Sequence, residues 1–298
     1  MLSKNKRLKW ICAQKATYGI EDTMKNIYRL TIVILLGILL NVCTGDTMIK
    51  DSLSYGSLGK TSPAQWQRLS QEKIFFGHKS VGNNIIEGME TILESNPEIR
   101  LKIVKTEDPS DIQSGMFAHA SVGKNGDPLS KIQDFTSKMQ SGIGGKVDIA
   151  FFKFCFVDIT SVTDANAVFS EYKKSMAALK QAFPKTIFIH MTTPLMWNEP
   201  AFPKGLIRRL MGKGGEAGNA SRNAYNDLLR TEYQGKEPIF DLARLEAIRP
   251  DGTVETFTWK GNTYPSMVPA YTDDGGHLSA KGKRIIAEQL LVYLARLK

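Results

Sequence analysis

The sequence predicts an α/β fold: a three-layer α/β/α sandwich around a mainly parallel sheet of five strands. Short apolar or β-branched segments alternate along the chain with segments whose apolar residues recur at helical spacing. Strands that alternate with helices form parallel sheets with helices packed on both faces. One segment, 147–156, is apolar almost throughout, which is typical of a strand covered on both faces. The 298 residues suffice for one large domain of this kind.

The predicted elements follow one another in a regular order. The five strands are KIFF at 73–76, LKIVK at 101–105, VDIAFFKFCF at 147–156, TIFIHMTTP at 186–194 and PIFDL at 238–242. Helices are predicted where apolar residues share one face, at 85–93, 128–139, 172–183, 220–233 and 280–297, the last capped by Ser279. The stretch between the second strand and the second helix is rich in Gly, Asp and Ser and is predicted to be a loop. Residues 253–267 are predicted to form a hairpin.

The N-terminal region has the features of an export signal. Residues 30–43 (LTIVILLGILLNVC) suit the apolar region of a secretory signal, and Lys25 and Arg29 supply the positive charge before it. The pattern LNVCTGD resembles a bacterial lipobox, in which Cys43 would receive the lipid, although Val42 replaces the small residue usual before that cysteine. The sequence therefore predicts an exported lipoprotein of the cell envelope. An uncleaved N-terminal anchor and a plain signal peptide are the alternatives.

The same region sets the expected domain boundaries. The apolar run begins unusually late, and a chain that starts at Met24 has a signal of ordinary proportions. We therefore expect residues 1–43 to be an upstream extension followed by the signal peptide. Residues 44–70 are rich in Ser, Gly, Thr and Lys and are predicted to be a flexible tether. The folded domain is predicted to span residues 71–298.

The net charge of +9 does not indicate a nucleic-acid partner. Residues 1–43 hold seven Lys/Arg and two Asp/Glu, so the segment before the tether carries +5 and the rest of the chain carries +4. The body of the chain has no array of Lys/Arg interleaved with aromatic residues. The expected partners are a small substrate and, through the N-terminus, a membrane.

Ser80 is the first candidate for a chemical role. It follows the first predicted strand and precedes the first helix, and ligand sites of such sheets gather at the carboxyl ends of the strands. The N–H groups at a helix start have no helical partner, and the helix dipole there favours a developing negative charge. Ser80 as the nucleophile of a hydrolase and Ser80 as a helix N-cap are both compatible with this position.

A second pattern, near the C-terminus, favours the nucleophile. In YTDDGGHLSAKG, Asp274 precedes His277 by three residues, just before the last helix. The two glycines between them let the carboxylate reach Nδ1 of the imidazole, which leaves Nε2 to accept a proton from a serine. The end of the first strand and the start of the last helix lie at the same edge of such a sheet. We therefore expect Ser80, His277 and Asp274 to meet.

These residues resemble the SGNH (GDSL-type) hydrolases, whose nucleophile lies near the N-terminus and whose D-x-x-H lies near the C-terminus. The resemblance covers roughly residues 73–297, and the block DDGGHLSAKGKRIIAEQL carries it best, whereas the family's G-D-S is here GHKS. It implies an SGNH/flavodoxin-like sheet, with Ser80 as nucleophile, His277 as base and Asp274 as the group that orients it. It also implies an ester hydrolase (esterase or deacylase) without a cofactor, acting on small acyl esters such as acetylated glycans.

The resemblance further implies two oxyanion donors, a glycine and an asparagine. Gly126 takes the place of the glycine in GKNGDPLSKI, with Gly123 as second choice. CFVD replaces the asparagine block: Asp158 matches its final position, but Val157 stands where the asparagine is expected. A carboxylate cannot donate to an oxyanion unless it is protonated. The second donor is left open among Asn125, Asn83 and Lys153, or is absent.

Other features leave alternatives open. His78 is expected to line the site, and a metal held by His78, His277 and a carboxylate is conceivable, although no ligand motif supports it. Cys155 lies in an apolar segment and is expected to be a buried thiol. The basic segment 203–218 is expected to be a solvated helix and loop, or else a lid or a contact for anionic glycans. The alternative to a hydrolase is a catalytically inactive lipoprotein of the same fold that binds envelope glycans.

Overall fold

A computed structural model of the chain describes residues 55–198 and 215–297. The predicted start at Met24, the signal peptide and the lipidation site Cys43 lie outside the described residues. So does most of the basic segment 203–218.

The described residues form a parallel five-stranded sheet of order β2-β3-β1-β4-β5. Its strands are β1 (Lys73–His78), β2 (Lys102–Lys105), β3 (Met116–Ser121), β4 (Ile149–Phe152) and β5 (Ile187–Phe188). A further parallel pair follows, in which β6 (His190–Met191) begins two residues after β5 and pairs with β7 (Ile239–Phe240). The predicted hairpin is β8 (Thr256–Trp259) with β9 (Asn262–Pro265). The predicted fold class, an α/β fold with a parallel five-stranded sheet, is confirmed.

One strand of the sheet was not predicted. Strand β3 lies in the stretch predicted to be a loop, and it separates β2 from the central β1. Its sequence, MFAHAS, holds no β-branched residue, so its local propensity for a strand is low. Burial overrides that propensity, because five of its six residues are buried between neighbouring strands and helices. The predicted second strand, β2, is therefore an edge strand.

Helices cover both faces of the sheet, which gives three layers. On one face lie α1 (Pro63–Leu69), α2 (Val81–Ser95), α6 (Leu242–Ala247) and α7 (Ala280–Arg296); on the other lie α3 (Pro128–Lys138), α4 (Ala165–Ala182) and α5 (Glu216–Tyr233). Adjacent strand residues divide between the two cores: Phe76 packs into the first and Phe75 into the second. No helix among the described residues combines the length and the apolar character needed to cross a bilayer.

Part of the predicted tether is ordered structure. Helix α1 begins with a capping box between Ser62 and Gln65, and it buries Trp66 and Leu69 in the first core. Upstream of it, the Tyr55 hydroxyl donates to the Ile239 carbonyl oxygen at 3.2 Å. The ordered domain therefore extends back at least to residue 55, into the stretch predicted to be flexible.

Helices α2 and α7 approach each other closely at Gly88. A β-carbon built on Gly88 would lie 2.4 Å from the Lys283 carbonyl oxygen, a backbone atom that cannot move aside cheaply. We expect Gly88→Ala to lower the free energy of unfolding by about 1–3 kcal/mol through overpacking, measured by urea denaturation. Gly59→Ala is the matched control, because nothing lies within 4 Å of its built β-carbon. Equal stability of the two variants would contradict this packing.

Candidate active site

Ser80 lies in the two-residue connection between β1 and α2, at the carboxyl edge of the sheet. Its backbone is unusual for a residue other than glycine, with φ 52° and ψ −108°. Its side chain makes no capping hydrogen bond to α2. Ser80 therefore occupies the N-cap position of α2 without capping the helix through its side chain, and the hydroxyl is free for another partner. Backbone conformations of this kind cost on the order of 1–3 kcal/mol and cluster at functional sites.

The hydroxyl of Ser80 meets the imidazole of His277. Ser80 Oγ lies 2.5 Å from His277 Nε2, and His277 Nδ1 lies 2.6 Å from Asp274 Oδ2. When Nδ1 donates to the carboxylate, Nε2 carries the lone pair that accepts the serine proton. The two ends of this chain of hydrogen bonds are nearly 200 residues apart in sequence. The fold joins them because the end of β1 and the start of α7 lie at the same edge of the sheet.

The carboxylate of Asp274 organises the loop before α7. Its Oδ1 accepts the backbone N–H groups of Gly276, at 2.9 Å, and His277, at 2.8 Å. Burial raises the pKa of Asp274, but the hydrogen bonds from the His277 ring and from these two amides outweigh it and lower the pKa to about 2. The group therefore stays ionised at neutral and mildly acidic pH.

This lowered pKa is directly measurable. A carboxyl group with a depressed pKa stabilises the folded loop above its unfolded pKa of about 3.9, and that stability is lost as the pH falls through the folded value. We expect the carboxyl ¹³C resonance of Asp274 to titrate with a midpoint of about 2. A midpoint close to the unperturbed value would contradict the hydrogen bonds that Asp274 accepts here.

Neighbouring elements hold the His277 loop in place. The Trp197 N–H donates to the Gly275 carbonyl oxygen at 2.9 Å, and the Leu278 N–H donates to Oδ1 of Asn84, on α2, at 3.2 Å. The Phe156 ring meets the His277 ring edge to face, with 5.3 Å between their centroids. The backbone on either side of His277 is therefore held by α2 and by Trp197, and the imidazole itself contacts Phe156 of the loop after β4.

Neither glycine predicted as an oxyanion donor presents its amide to Ser80. The Gly126 N–H donates to Asp158 Oδ1 at 2.8 Å, and the Gly123 N–H donates to Asp134 Oδ2 at 2.8 Å. Each amide is thus directed at a carboxylate of the protein itself. The Ser80 N–H, at the start of α2, has no preceding helical carbonyl to bind, which is the position of a potential anion donor.

Asp158 has a different position from the one predicted. It is 1% exposed, so it cannot bind substrate. It accepts the Cys155 N–H at 2.5 Å and the Lys131 ammonium at 2.6 Å, in addition to the Gly126 amide. Since β3 and β4 both pair with β1, the loops after them lie on either side of Ser80. Asp158 therefore ties together the two loops that flank the candidate nucleophile.

Of the three side chains left open as second donors, Asn125 is exposed and has its amide oxygen, not its NH₂ group, bonded to the protein. Its Oδ1 accepts from Lys131 Nζ at 3.0 Å, which turns its NH₂ group away from the buried lysine, and the residue is exposed. Lys153 is 1% exposed and donates to the Phe154 carbonyl oxygen at 3.1 Å, so its ammonium is held inside the protein. Burial also lowers the pKa of Lys153. Asn83 is exposed on the first turn of α2.

His78 lies beneath α2 and does not line the open site. It is 2% exposed, and its Nε2 is 2.9 Å from Nδ1 of His119. Burial, followed by the charges of His119 and two lysines, lowers the pKa of His78 to about 2, and burial with Lys105 lowers the pKa of His119 to about 4. Both rings are therefore neutral at neutral pH. The structure does not bring His78 to His277, and no group of three metal-ligating side chains is placed to hold an ion in the part of the chain that the structure describes.

Phe156 is a site residue that the sequence analysis missed. The predicted strand 147–156 ends in the structure at Phe152, and the residues after it form the loop that carries Phe156 to His277. The signal available in the sequence was Lys153, a charge that interrupts the apolar run at the position where the strand stops.

The fold and this geometry together define an α/β protein in which Ser80, His277 and Asp274 form a chain of hydrogen bonds at the carboxyl edge of the sheet. No known protein-family profile matches the chain, and no curated protein matches it. Among solved structures, it is similar to an acetyl xylan esterase, AlAXEase (16% identity, TM-score 0.43, 73% of this chain and 96% of that one). It is also similar to a lipase/acylhydrolase from Enterococcus faecalis (13% identity, TM-score 0.40, 76% and 97%). A peptidoglycan O-acetylesterase is a third (12% identity, TM-score 0.37, 60% and 47%).

Proposed function

We propose that this protein is an exported serine esterase that cleaves small acyl esters through Ser80, His277 and Asp274. The observation that carries the proposal is the distance of 2.5 Å between Ser80 Oγ and His277 Nε2, with Asp274 on the far side of the imidazole. A nucleophile, a base within hydrogen-bond reach and a group that orients the base form the recognisable unit of this chemistry. The absence of a capping bond at Ser80 adds support, because the hydroxyl has no structural task in α2.

The reaction would proceed in two half-reactions. Ser80 Oγ attacks the ester carbonyl carbon while His277 Nε2 takes the hydroxyl proton, and the Ser80 N–H at the helix start stabilises the oxyanion. His277 then gives that proton to the leaving alkoxide, which departs as the alcohol and leaves an acyl-Ser80 ester. In the second half-reaction His277 takes a proton from water while the hydroxide attacks the acyl carbon. His277 then returns that proton to Ser80 Oγ as the bond from Oγ to the acyl carbon breaks, which releases the acid and restores free Ser80. Asp274 remains a carboxylate throughout.

Substrate class and location are also part of the proposal. The apolar segment 30–43 and Cys43 would place the enzyme in the cell envelope, held by an N-terminal lipid or by the signal segment itself. Acetylated glycans are the ester-bearing polymers that an enzyme in that location would meet. No metal or organic cofactor is required by the mechanism above.

One observation favours a second candidate function, that of a catalytically inactive glycan-binding lipoprotein. The amides of Gly126 and Gly123 are both used by carboxylates, and Val157 offers no side-chain donor. A site with one oxyanion donor too few would bind an ester without turning it over, since loss of one donor costs about 10²–10³-fold in rate.

The deciding experiment is labelling of the purified protein with a fluorophosphonate probe, followed by mapping of the modified peptide. We expect a covalent adduct on Ser80 that Ser80→Ala and His277→Ala abolish. Ser121→Ala is the matched control, because Ser121 ends the neighbouring strand β3 and is even more exposed than the half-buried Ser80. An adduct on another residue would overturn the site. If the probe labels no residue and the protein binds an acetylated glycan, the result supports the glycan-binding function instead of the esterase.

A further inference from the structure

Helix α5 carries a buried arginine that the proposed mechanism does not use. Arg222 is 3% exposed and lies on the face of α5 that is turned into the protein. Its Nη1 donates to the Phe156 carbonyl oxygen at 2.9 Å and to the Ile159 carbonyl oxygen at 3.2 Å. Its Nε donates to Asn219 Oδ1 at 3.0 Å. One nitrogen of the guanidinium thus donates to two backbone carbonyl oxygens of the loop after β4.

That loop is the one whose aromatic side chain touches the candidate base. Phe156 packs its ring against the His277 ring, and a β-carbon built on Gly276 would lie 2.8 Å from the same ring. Phe156 therefore covers both the imidazole and the glycine before it. Because the Phe156 carbonyl oxygen is hydrogen-bonded to Arg222, the position of the Phe156 ring depends on the guanidinium.

Asn219, the hydrogen-bond partner of Arg222, holds a second segment that contacts the His277 loop. Its Oδ1 accepts the Met196 N–H at 3.0 Å and its Nδ2 donates to the Met196 carbonyl oxygen at 2.7 Å. The next residue, Trp197, donates its N–H to the Gly275 carbonyl oxygen between Asp274 and His277. Arg222 and Asn219, on the same helix, thus fix two of the segments that contact the His277 loop.

The energetic cost of Arg222 indicates a role other than stability. Burial lowers the pKa of Arg222 to about 10, with a smaller opposing effect of Glu246, so the guanidinium still carries its charge at neutral pH. Burial raises the pKa of Glu246 to about 8, so that group is largely protonated at neutral pH and does not compensate the charge. Its Nη2 is buried without a hydrogen-bond partner among the described residues. A buried charge that is incompletely hydrogen-bonded is a poor source of stability, and an apolar side chain of similar size usually serves a core as well or better.

We infer that Arg222 is a positioning residue that holds Phe156 against the His277 imidazole and so keeps that ring aligned between Asp274 and Ser80. The inference rests on the proposed function for its kinetic consequences only. The alignment itself is a property of the folded protein that is measurable without turnover.

The experiment compares Arg222→Met, Arg222→Lys and Phe156→Leu with Arg230→Met. Arg230 lies two turns further along α5 and binds Asp241 through both Nε and Nη2, at 2.8 Å each. Arg230→Met therefore shows the effect of removing a hydrogen-bonded arginine of the same helix that does not contact the Phe156 loop. With p-nitrophenyl acetate, Arg222→Met is expected to lower kcat by about 10–100-fold with KM little changed, because small misplacements of a catalytic group cost this much. Arg222→Lys is expected to recover part of the rate, since an ammonium still reaches a carbonyl.

Two readouts separate positioning from a general loss of stability. In a double-mutant cycle, Arg222→Met is expected to lower kcat little further in the Phe156→Leu background, because both substitutions disrupt the packing of residue 156 against the His277 ring. In ¹H NMR, the His277 Nδ1–H proton bonded to Asp274 is expected downfield in the unmodified protein and in Arg230→Met, and broadened in Arg222→Met and Phe156→Leu. The chain has only four histidines, so this resonance is assignable.

The outcomes are distinct. An unmodified protein with no Ser80-dependent turnover overturns the proposed function, and the NMR comparison then still decides the positioning role. If Arg222→Met keeps both kcat and the downfield proton, or if its kcat loss adds fully to that of Phe156→Leu, Arg222 does not act through Phe156. Should Arg222→Met fail to fold, Arg222→Lys and Phe156→Leu carry the same comparison.

Discussion

Ser80→Ala is expected to lower kcat for p-nitrophenyl acetate hydrolysis by about 10⁶-fold, with His277→Ala close behind, as for other triads in which one member is removed. The reason is the geometry of the proposed triad. Ser80 Oγ bonds His277 Nε2 and no amide of α2, so Ser80→Ala removes the proposed nucleophile itself. The measurement is steady-state kinetics on purified protein at neutral pH.

The three residues should also behave as a unit. The double variant Ser80→Ala/His277→Ala is expected to be no slower than Ser80→Ala alone, because the base has no function without its nucleophile. Asp274→Asn is expected to cost about 10⁴-fold, since an amide at that position favours the wrong imidazole tautomer. Ser121→Ala again serves as the control, with unchanged kcat. Equal rates for Ser80→Ala and the unmodified protein would contradict the whole assignment.

Lys131→Met is expected to lower the free energy of unfolding by about 3–5 kcal/mol, the cost of leaving one partner of a buried ion pair alone. Both side chains of the Lys131–Asp158 pair are 0% exposed, and the separation is 2.6 Å. Without the ammonium, Asp158 is a buried carboxylate with only the Gly126 and Cys155 amides to stabilise it. The measurement is urea denaturation followed by circular dichroism.

The matched control is Lys173→Met. Lys173 also pairs with a carboxylate, Glu232 at 2.9 Å, but its side chain is 51% exposed. Solvent-exposed pairs contribute little, so no measurable change is expected for this variant. A similar loss of stability in the two variants would show that burial of the Lys131–Asp158 pair has no special effect. Because Asp158 ties the loops beside Ser80, Lys131→Met should also reduce Ser80-dependent activity where it folds.

Much of the fold follows from local patterns. Apolar segments such as 147–156 and amphipathic segments such as 280–297 alternate in the sequence, and this alternation is enough to predict parallel strands with helices on both faces. Strand β3 was not predicted because its residues have low strand propensity, and it forms a strand only because its neighbours bury it. The order of residues 55–70 was not predicted for a similar reason, since α1 is stabilised by its packing against the first core rather than by a strong apolar pattern of its own.

The candidate site divides in the same way. The positions of Ser80 after the first strand and of Asp274-x-x-His277 before the last helix are local features, and the sequence was sufficient to single them out. The donors around them are not local. The amide of Gly126 looks available in the sequence, but the structure directs it to Asp158, a residue on another loop.

The sequence by itself determined the order and type of the elements, and which hydroxyl, imidazole and carboxylate could meet at one edge of the sheet. Only the tertiary structure decided that they do so at hydrogen-bond distance, that the predicted glycine amides are used elsewhere, and that Arg222 stands behind Phe156. The physical reason is range: propensity and periodicity act over a few residues, whereas burial and hydrogen bonding between distant segments depend on the packed chain.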